Sequence, residues 1–399
     1  MSLAGRRVVL GVCGSIAAYK VVQVARDLTQ AGATVDVLMT PGATRFVTPL
    51  TFQTLTRRPV ISDPWQDWTD DVQGHISLGE QAEVMLVAPA TAQTLARLAL
   101  GMAEDIVSLT ALATYAPLVI APAMNYHMWE HPATQEHVRR LEERGATFVL
   151  PERGVLASGA VGEGRLVSPE TIVGAVRWRL GRGRVLAGKK VVVTAGGARE
   201  HLDPVRYIGN GSSGRMGYAL AQAAIDEGAD TTLVSANVEL PPPWGARVLI
   251  AVSAADVLRS THEACADADA LLMAAAVSDY TPVSPSASKL KKHGGELTLQ
   301  LAETEDVLAS LRRDGLVKVG FAAETDNLLE NARGKLARKG LDLIVANDAA
   351  ATIGAAEADV AIIGADGVLE QTGLVPKEAA AEKVVAALVR TLASRKTTG

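Results

Sequence analysis

Ten residues near the middle of the chain, IGNGSSGRMG from Ile208 to Gly217, combine four glycines, three small polar side chains and one arginine. Their spacing is not G-x-x-x-x-G-K-[ST], the phosphate-cradling P-loop; Gly209, Gly211 and Gly214 do fall at the spacing G-x-G-x-x-G, but twelve residues past the strand-ending Gly197 rather than directly after a strand, where the dinucleotide fingerprint belongs. An apolar helical pattern from Met216 to Glu227 follows directly, so the unpaired amides of its first turn face whatever the loop cradles. A negatively charged ligand or intermediate is indicated. Positive charge lies further on. Lys289, Lys291 and Lys292 stand in ASKLKKHGGE, after a strand-like ALLMAAAVSDY that carries Asp279 at its end, and Lys335 and Lys339 are four apart on one helix face. Either cluster by itself reads as a solvated surface. Taken with Asp279 and GFAAET at 320–325, they raise a nucleoside triphosphate site, with lysines neutralising phosphates and a carboxylate holding Mg²⁺, which prefers oxygen ligands.

The first half of the chain carries a different set. Gly14 and Ser15, at the start of a helix, could offer amides and a hydroxyl to a phosphate, or form no more than a tight strand-to-helix turn. His75 precedes a strand in GHISLGEQAEV and is either structural or a proton carrier. Asn125 follows a strand-ending proline segment and precedes His127; its amide is a turn residue or a substrate clamp.

Elements that would position these residues recur twice. Arg6–Gly14 (RRVVLGVCG) and Lys189–Gly197 (KKVVVTAGG) are both a basic pair, a β-branched run and a glycine turn, the opening of a doubly wound α/β unit. The first half alternates regularly: a strand to Gly11, helix Ala17–Gln30, strand Thr34–Met39, strand Glu83–Ala88, helix Ala92–Leu100, strand Leu118–Ala121, helix Thr134–Arg144 and strand Thr147–Leu150. That pattern predicts a parallel sheet covered on both faces, with ligands beyond the carboxyl ends of its strands. Two such starts predict an α/β protein of two doubly wound, Rossmann-like domains, 1–186 and 187–399, with the boundary in the glycine-rich basic stretch at 183–188.

Composition excludes several classes. At 399 residues, 48% hydrophobic, the chain is long enough for two cores. Two cysteines, Cys13 and Cys265, make no disulfide framework or zinc motif, which fits a reducing cytoplasm. A formal charge of −5 gives no global attraction to nucleic acid, no apolar run reaches membrane-spanning length, and the N-terminus has no secretory cleavage pattern.

Taken jointly, GVCGSIAAYK, GHISLGEQAEVMLVAPATAQTLARLALGMAEDIVS and LVIAPAMNYHMW resemble the flavin-containing cysteine decarboxylase family, phosphopantothenoylcysteine decarboxylases in particular. The resemblance implies a flavodoxin-like domain with FMN at the strand ends, contacted by Gly14, Ser15, Thr40, Pro89, Ala90, Thr91, Ser108 and Met124, and an active site with His75 and Asn125. Asn125 would hold the substrate carboxylate and His75 would transfer or position a proton. Oxidation of the thiol-bearing carbon to a thioaldehyde places C=S beta to the carboxylate, so loss of CO₂ leaves a stabilised enethiolate, which is then reduced and protonated. Pro151–Leu166 resembles the family's substrate-recognition flap, whose motif commonly carries a cysteine as the final acid. Here that position is Ser158, a far weaker acid than a thiol of pKa about 8.5. Water, another side chain or Cys13 would then substitute.

The second half, through DPVRYIGNGSSGRMG, AAAVSDY, KLKK, GFAAET and KGLDLIVAND, resembles the CTP-using bacterial phosphopantothenate–cysteine ligases. That resemblance implies an acyl-cytidylate formed from 4′-phosphopantothenate and CTP with Mg²⁺ (or Mn²⁺), then displacement of CMP by cysteine. Asn210 matches the residue that stabilises the intermediate, and Arg206 one near the substrate phosphate. Ala274, Ala275, Ala276, Asp279, Lys289, Phe321, Lys335 and Lys339 match the remaining substrate and CTP positions, with Asp279 also the metal ligand. The two reactions are consecutive steps of coenzyme A biosynthesis. The family's decarboxylase trimers and ligase dimers together imply a homo-dodecamer taking only small-molecule substrates. Two rivals are a ligase whose decarboxylase half is impaired at Ser158, and a flavin-binding regulatory module. A nicotinamide oxidoreductase is weaker, since neither strand opening, GVCGSIAAYK or KKVVVTAGGARE, carries the fingerprint directly after its strand.

Overall fold

The computed structural model describes residues 3–65, 74–291, 296–324, 328–348, 355–365 and 367–397. Lys292 and Thr325 lie outside them. The chain divides into two compact units, Met1–Leu180 and Gly181–Gly399. Residues 182–188 go with the second unit because Arg182 pairs with Asp230 at 2.7 Å, Arg184 with Glu227 at 3.1 Å, and the Leu186 amide donates to the Glu227 carbonyl.

In the first unit, strands β1 (Arg7–Val12), β2 (Thr34–Met39), β3 (Val60–Ile61), β4 (Val84–Ala90), β5 (Leu118–Pro122) and β6 (Thr147–Phe148) form one parallel sheet in the order β3-β2-β1-β4-β5-β6. With the two-residue β3 set aside, this is the flavodoxin order. The inner strands are apolar runs without alternation, as a sheet buried on both faces requires. Helix α1 (Ala18–Gln30) buries Val21, Val24, Ala25 and Leu28, one face of a 3.6-residue period. The other helices are α2 (Pro49–Thr56), α3 (Gly74–Gln81), α4 (Ala92–Leu100), α5 (Ile106–Leu112), α6 (Tyr126–Trp129), α7 (Pro132–Glu143) and α8 (Pro169–Gly181). An antiparallel hairpin of β7 (Glu152–Val155) and β8 (Val161–Arg165) leaves the sheet near α6.

The second unit is built on β9 (Lys190–Gly196), with β10 (Arg199–His201) and β11 (Tyr207–Gly209) as a small ribbon before α9 (Arg215–Asp226). β12 (Asp230–Ala236), β13 (Arg247–Ala251), α10 (Ala254–Cys265) and β14 (Ala270–Met273) follow. A second ribbon pairs β15 (Tyr280–Pro282) with β16 (Leu301–Glu303), ahead of α11 (Val307–Ser310), β17 (Val317–Glu324), α12 (Leu328–Lys339) and β18 (Leu343–Asp348). β19 (Glu357–Ala358), β20 (Val360–Gly364), β21 (Gly367–Gln371), β22 (Val375–Pro376) and a closing helix, Lys377–Thr397, complete the unit. Its main sheet runs β13-β12-β9-β14-β17-β18-β20-β21; the first six strands are parallel in Rossmann order, and β20 and β21 extend the edge antiparallel.

One expected element is shorter than its apolar run. ALLMAAAVSDY is strand only to Met273, so Asp279 does not end a strand. Past Met273 the backbone turns to exchange hydrogen bonds with the loop after β9, the Ala276 amide donating to the Gly196 carbonyl and the Ala198 amide to the Ala276 carbonyl. That bonding draws the chain out of the sheet and leaves Asp279 exposed at the start of the second ribbon.

Candidate functional site

In the first unit the sheet order reverses between β1 and β4, and the crevice beyond their carboxyl ends is where doubly wound folds take ligands. The loop after β1 turns tightly, the Ser15 amide donating to the Cys13 carbonyl and the Ser15 hydroxyl accepting from the Ala17 amide. Gly14 packs on the backbone of Gly42. Thr40 extends β2, its amide donating to the Val12 carbonyl and its hydroxyl accepting from Ala43. Pro89 and Ala90 end β4, and Thr91 caps α4 by accepting from the Thr94 amide. Ser108 is buried, its hydroxyl occupied in a capping box with Asp105.

A cleft of about 620 Å³ opens at this edge, and Ser15, Met124, Asn125 and Ser158 all line it. Its volume lies within the range of small-molecule sites. Asn125 is held as the N-cap of α6, its side-chain oxygen accepting from the His127 amide. Ser158 is exposed at the tip of the hairpin, within a turn closed by the Leu156 amide on the Ala160 carbonyl. The hairpin's base lies on the same loop. The Met124 amide donates to the Gly164 carbonyl, and a Cβ at Gly164 would fall 2.2 Å from the Met124 oxygen, so only glycine permits the approach.

Two cations unmarked in the sequence complete the lining, Lys20 and Arg165. The Lys20 ammonium donates to the Leu166 carbonyl at 3.2 Å. Burial, reinforced by the Arg165 guanidinium and opposed by Glu152, holds its pKa below the ordinary lysine value. Lys20 stands within the segment GSIAAYK, but its direction into the cleft depends on the helix phase. His75 does not line this cleft; it sits half-buried in the first turn of α3. Cys13 is wholly buried beside Thr94, and burial pushes its thiol up to about 12. It cannot substitute for a flap cysteine as an acid, because neither solvent nor the cleft reaches it.

In the second unit, the Gly211–Gly217 loop, Ala274, Ala275, Ala276 and Phe321 line a cleft of about 200 Å³ beyond β9, β14 and β17. The loop reaches it because α9 starts hard against β9: a Cβ at Gly217 would fall 2.5 Å from that of Ala195. Arg215, the arginine of the glycine loop, and Asn347, inside KGLDLIVAND, also line the cleft, together with Lys377, which lies in none of the motifs. Asn347 and Lys377 lie far from the loop in sequence, and no local spacing signals the meeting.

The other expected residues fall outside this lining. Asn210 is exposed, its amide donating to the Val277 carbonyl at 3.0 Å. Arg206 donates to the Leu290 carbonyl at 3.0 Å, beside the exposed Lys289. Asp203, almost wholly buried, receives the amides of Val205, Arg206 and Leu290. Burial would raise its carboxyl, but those amides outweigh it and hold it below the ordinary carboxylate value. On α12, Lys335 is half-buried and Lys339 pairs with Asp306 at 2.8 Å. Among the described residues no group of three or more His, Cys, Asp or Glu side chains could hold a metal ion, so a cation at Asp279 would need ligand oxygens from a bound phosphate. No described helix is long and apolar enough to cross a membrane.

Comparison with known proteins gives two family matches, a flavoprotein model over residues 1–181 and the DNA/pantothenate metabolism flavoprotein C-terminal domain over residues 186–392. The coenzyme A biosynthesis bifunctional protein CoaBC of Bacillus subtilis (strain 168) is 44% identical over 366 residues, 90% of each chain. Its counterpart in Escherichia coli (strain K12) is 42% identical over 355 residues, 87% of each chain. Among solved structures, the C-terminal domain of a coenzyme A biosynthesis bifunctional protein CoaBC is 33% identical with a TM-score of 0.47, covering 53% of this chain and 100% of that one. A PPC decarboxylase variant complexed with pantothenoylaminoethenethiol is 32% identical with a TM-score of 0.39, covering 43% of this chain and 96% of that one.

Proposed function

Since the chain belongs to the family of bifunctional coenzyme A biosynthesis proteins, a flavoprotein decarboxylase and a ligase on one polypeptide, we propose that its second unit joins 4′-phosphopantothenate to cysteine with CTP and that its first decarboxylates the product with FMN. The observation that carries the decarboxylase reading is the strand-end cleft in which Asn125, Ser158 and Lys20 meet under a hairpin. Its apolar walls, Ile16, Ala123 and Leu156, suit a flat ring, and the Ser15 hydroxyl on its lining suits a phosphate or a polar ring edge; Thr40 and Thr91, at neighbouring strand ends, are assigned to the same ligand by the family resemblance. FMN supplies two-electron oxidation and return. The chain's own residues bind and protonate: Asn125 holds the cysteine carboxylate, Lys20 and Arg165 offset negative charge, and the hairpin excludes water. His75 stands outside the cleft of its own unit, and we assign it to the flavin of a neighbouring subunit. Exposed Ile76, Leu112 and Tyr115 on the first unit support a packed contact there, as a trimer would supply.

In the second unit, the glycine loop and Ala274–Ala276 receive the nucleotide, and Asp279 is the residue that would hold Mg²⁺, which would neutralise phosphate charge. Asn210 releases Val277 to donate to the acyl oxygen during attack by the cysteine amine, where negative charge develops. Arg206 and Lys289 meet the phosphate of the pantothenate substrate and the nucleotide. Trimers through one unit and dimers through the other together make the dodecamer we assign.

The test is to supply the purified protein with 4′-phosphopantothenate, cysteine, CTP and Mg²⁺, measure CO₂, and identify thiols by mass spectrometry. We expect CO₂ with 4′-phosphopantetheine. Accumulation of 4′-phosphopantothenoylcysteine would leave a ligase alone, and no amide product with CTP would overturn the nucleotide assignment.

A further inference from the structure

The strand-end cleft of the first unit carries charge of one sign. Among the described residues lining it there are two cations, Lys20 and Arg165, and no carboxylate. Asn125 is read as meeting the carboxylate of the substrate, which leaves the two cations with no ligand group of their own. Arg165 stands on the hairpin that also carries Ser158, and its side chain is exposed.

An irregularity of the hairpin aims Arg165. The ladder pairs Arg153 with Glu163 and Glu152 with Arg165, so Gly164 is an extra residue with none opposite it. An extra residue of this kind bends its strand and re-aims the side chain beside it. Gly154 makes the room: a Cβ there would fall 3.3 Å from Cδ of Arg165 and 3.4 Å from its Nη1, so the side chain lies across bare backbone of β7. The next residue, Leu166, takes the Lys20 ammonium on its carbonyl, which brings the two cations together. After burial, Arg165 is the main influence that depresses the Lys20 pKa, with Glu152 opposing. Among the described residues no carboxylate forms an ion pair with Arg165. Two neighbouring cations suit a phosphate monoester, which carries about −1.5 to −2 at neutral pH, and the planar fork of arginine matches its oxygens. Two such groups reach this edge in the reading above, one on the flavin and one at the far end of the substrate. Ser15, Ile16 and Ala17, ahead of α1, are the lining residues placed to meet the first. Arg165 lies off the strand ends, on the element read as gripping the substrate.

We propose that Arg165, seconded by Lys20, seats the 4′-phosphate of the decarboxylase substrate and makes the first unit selective for the phosphorylated form. The proposal rests on the decarboxylase reading. No bond changes at this phosphate, so the contact is the same in substrate and transition state and acts on KM rather than on kcat.

The test compares flavin-loaded full chains of wild type, Arg165→Gln and Arg165→Lys in CO₂ release from 4′-phosphopantothenoylcysteine and from pantothenoylcysteine, which lacks only the phosphate. Wild type is expected to favour the phosphorylated substrate in kcat/KM by about tenfold or more, the size of one charge-assisted contact. Arg165→Gln brings that ratio close to one by raising KM, and Arg165→Lys, which keeps the charge without the fork, retains part of it. Thermal unfolding identifies the folded variants; Arg165→Met, which keeps an apolar stem over Gly154, carries the test should glutamine disturb the hairpin. Titration of the flavin-free chains with FMN, followed by flavin fluorescence, separates the two phosphates. Weaker flavin binding in the neutral variants with the substrate ratio unchanged gives Arg165 to the flavin and overturns the proposal. An equal loss on both substrates overturns it too, since that marks a residue that holds the carboxylate or only shapes the hairpin. Wild type that turns over both substrates without preference sinks this proposal alone, whereas CO₂ from neither sinks the decarboxylase reading and this proposal with it.

Discussion

Ser158 and Cys13 place the same question on two atoms: which group protonates the reduced product. Ser158 lies exposed on the cleft and is a weak acid, whereas Cys13 is a thiol sealed in the core with its pKa pushed to about 12. Accessibility decides between them, so Ser158→Cys is expected to raise the ratio of 4′-phosphopantetheine to enethiol, and Cys13→Ala to leave that ratio unchanged. Cys13→Ala should instead cost about 1 kcal/mol of stability, the size of a small core truncation. Mass spectrometry of the thiols and urea unfolding of the same two variants measure both effects. A Cys13→Ala chain that stalls at the enethiol would return the acid to the core. The residue types around the cleft were legible in the sequence, but Lys20 was not singled out, because its role depends on which way one helical turn points.

At the scale of elements, hydrogen bonds to buried groups fix the loops that matter. Asp203 joins the turn at 203–206 to Leu290, and so fixes the loop carrying Lys289. Its carboxyl is held below the ordinary value in the folded chain, so its contribution is complete above the unfolded value of about 3.9 and is lost as pH falls through the folded one. Asp203→Asn is therefore expected to be less stable than wild type at neutral pH, with the gap closing under acid. Ligase turnover falls about tenfold, the scale of a misplaced substrate-binding group, while decarboxylation is unaffected. Urea midpoints at neutral and acid pH check the sign; a gap of constant size would assign the effect to shape rather than charge. α1, β2 and α4 fall within one residue of where period and turn residues put them, since each is a local pattern closed by a glycine or a cap. Asp279 was misjudged for the opposite reason. An apolar run does not reveal that its end is drawn off the sheet by hydrogen bonds to Gly196 and Ala198, some eighty residues earlier.

At the scale of the whole molecule, each unit has its own sheet and its own buried clusters, around Val9, Val87 and Ile120 in the first and around Val193, Leu272 and Val345 in the second. The ligand-bearing edges follow from strand order in each sheet separately, and every cleft described is lined from one unit only. Each step is then expected to proceed without the other unit of the same chain, with the amide formed by the ligase passing through solution as a free molecule. Mixing Asn210→Asp chains, deficient in ligation, with Asn125→Asp chains, deficient in decarboxylation, is expected to restore 4′-phosphopantetheine formation. The rate per mole of chain should approach about half that of wild type, since substitutions at distant sites act additively. Thiol products timed from a shared pool of 4′-phosphopantothenate measure this. If each variant keeps its remaining activity but the mixture forms no product, the intermediate passes directly between the units of one chain, and the two edges act together rather than in succession.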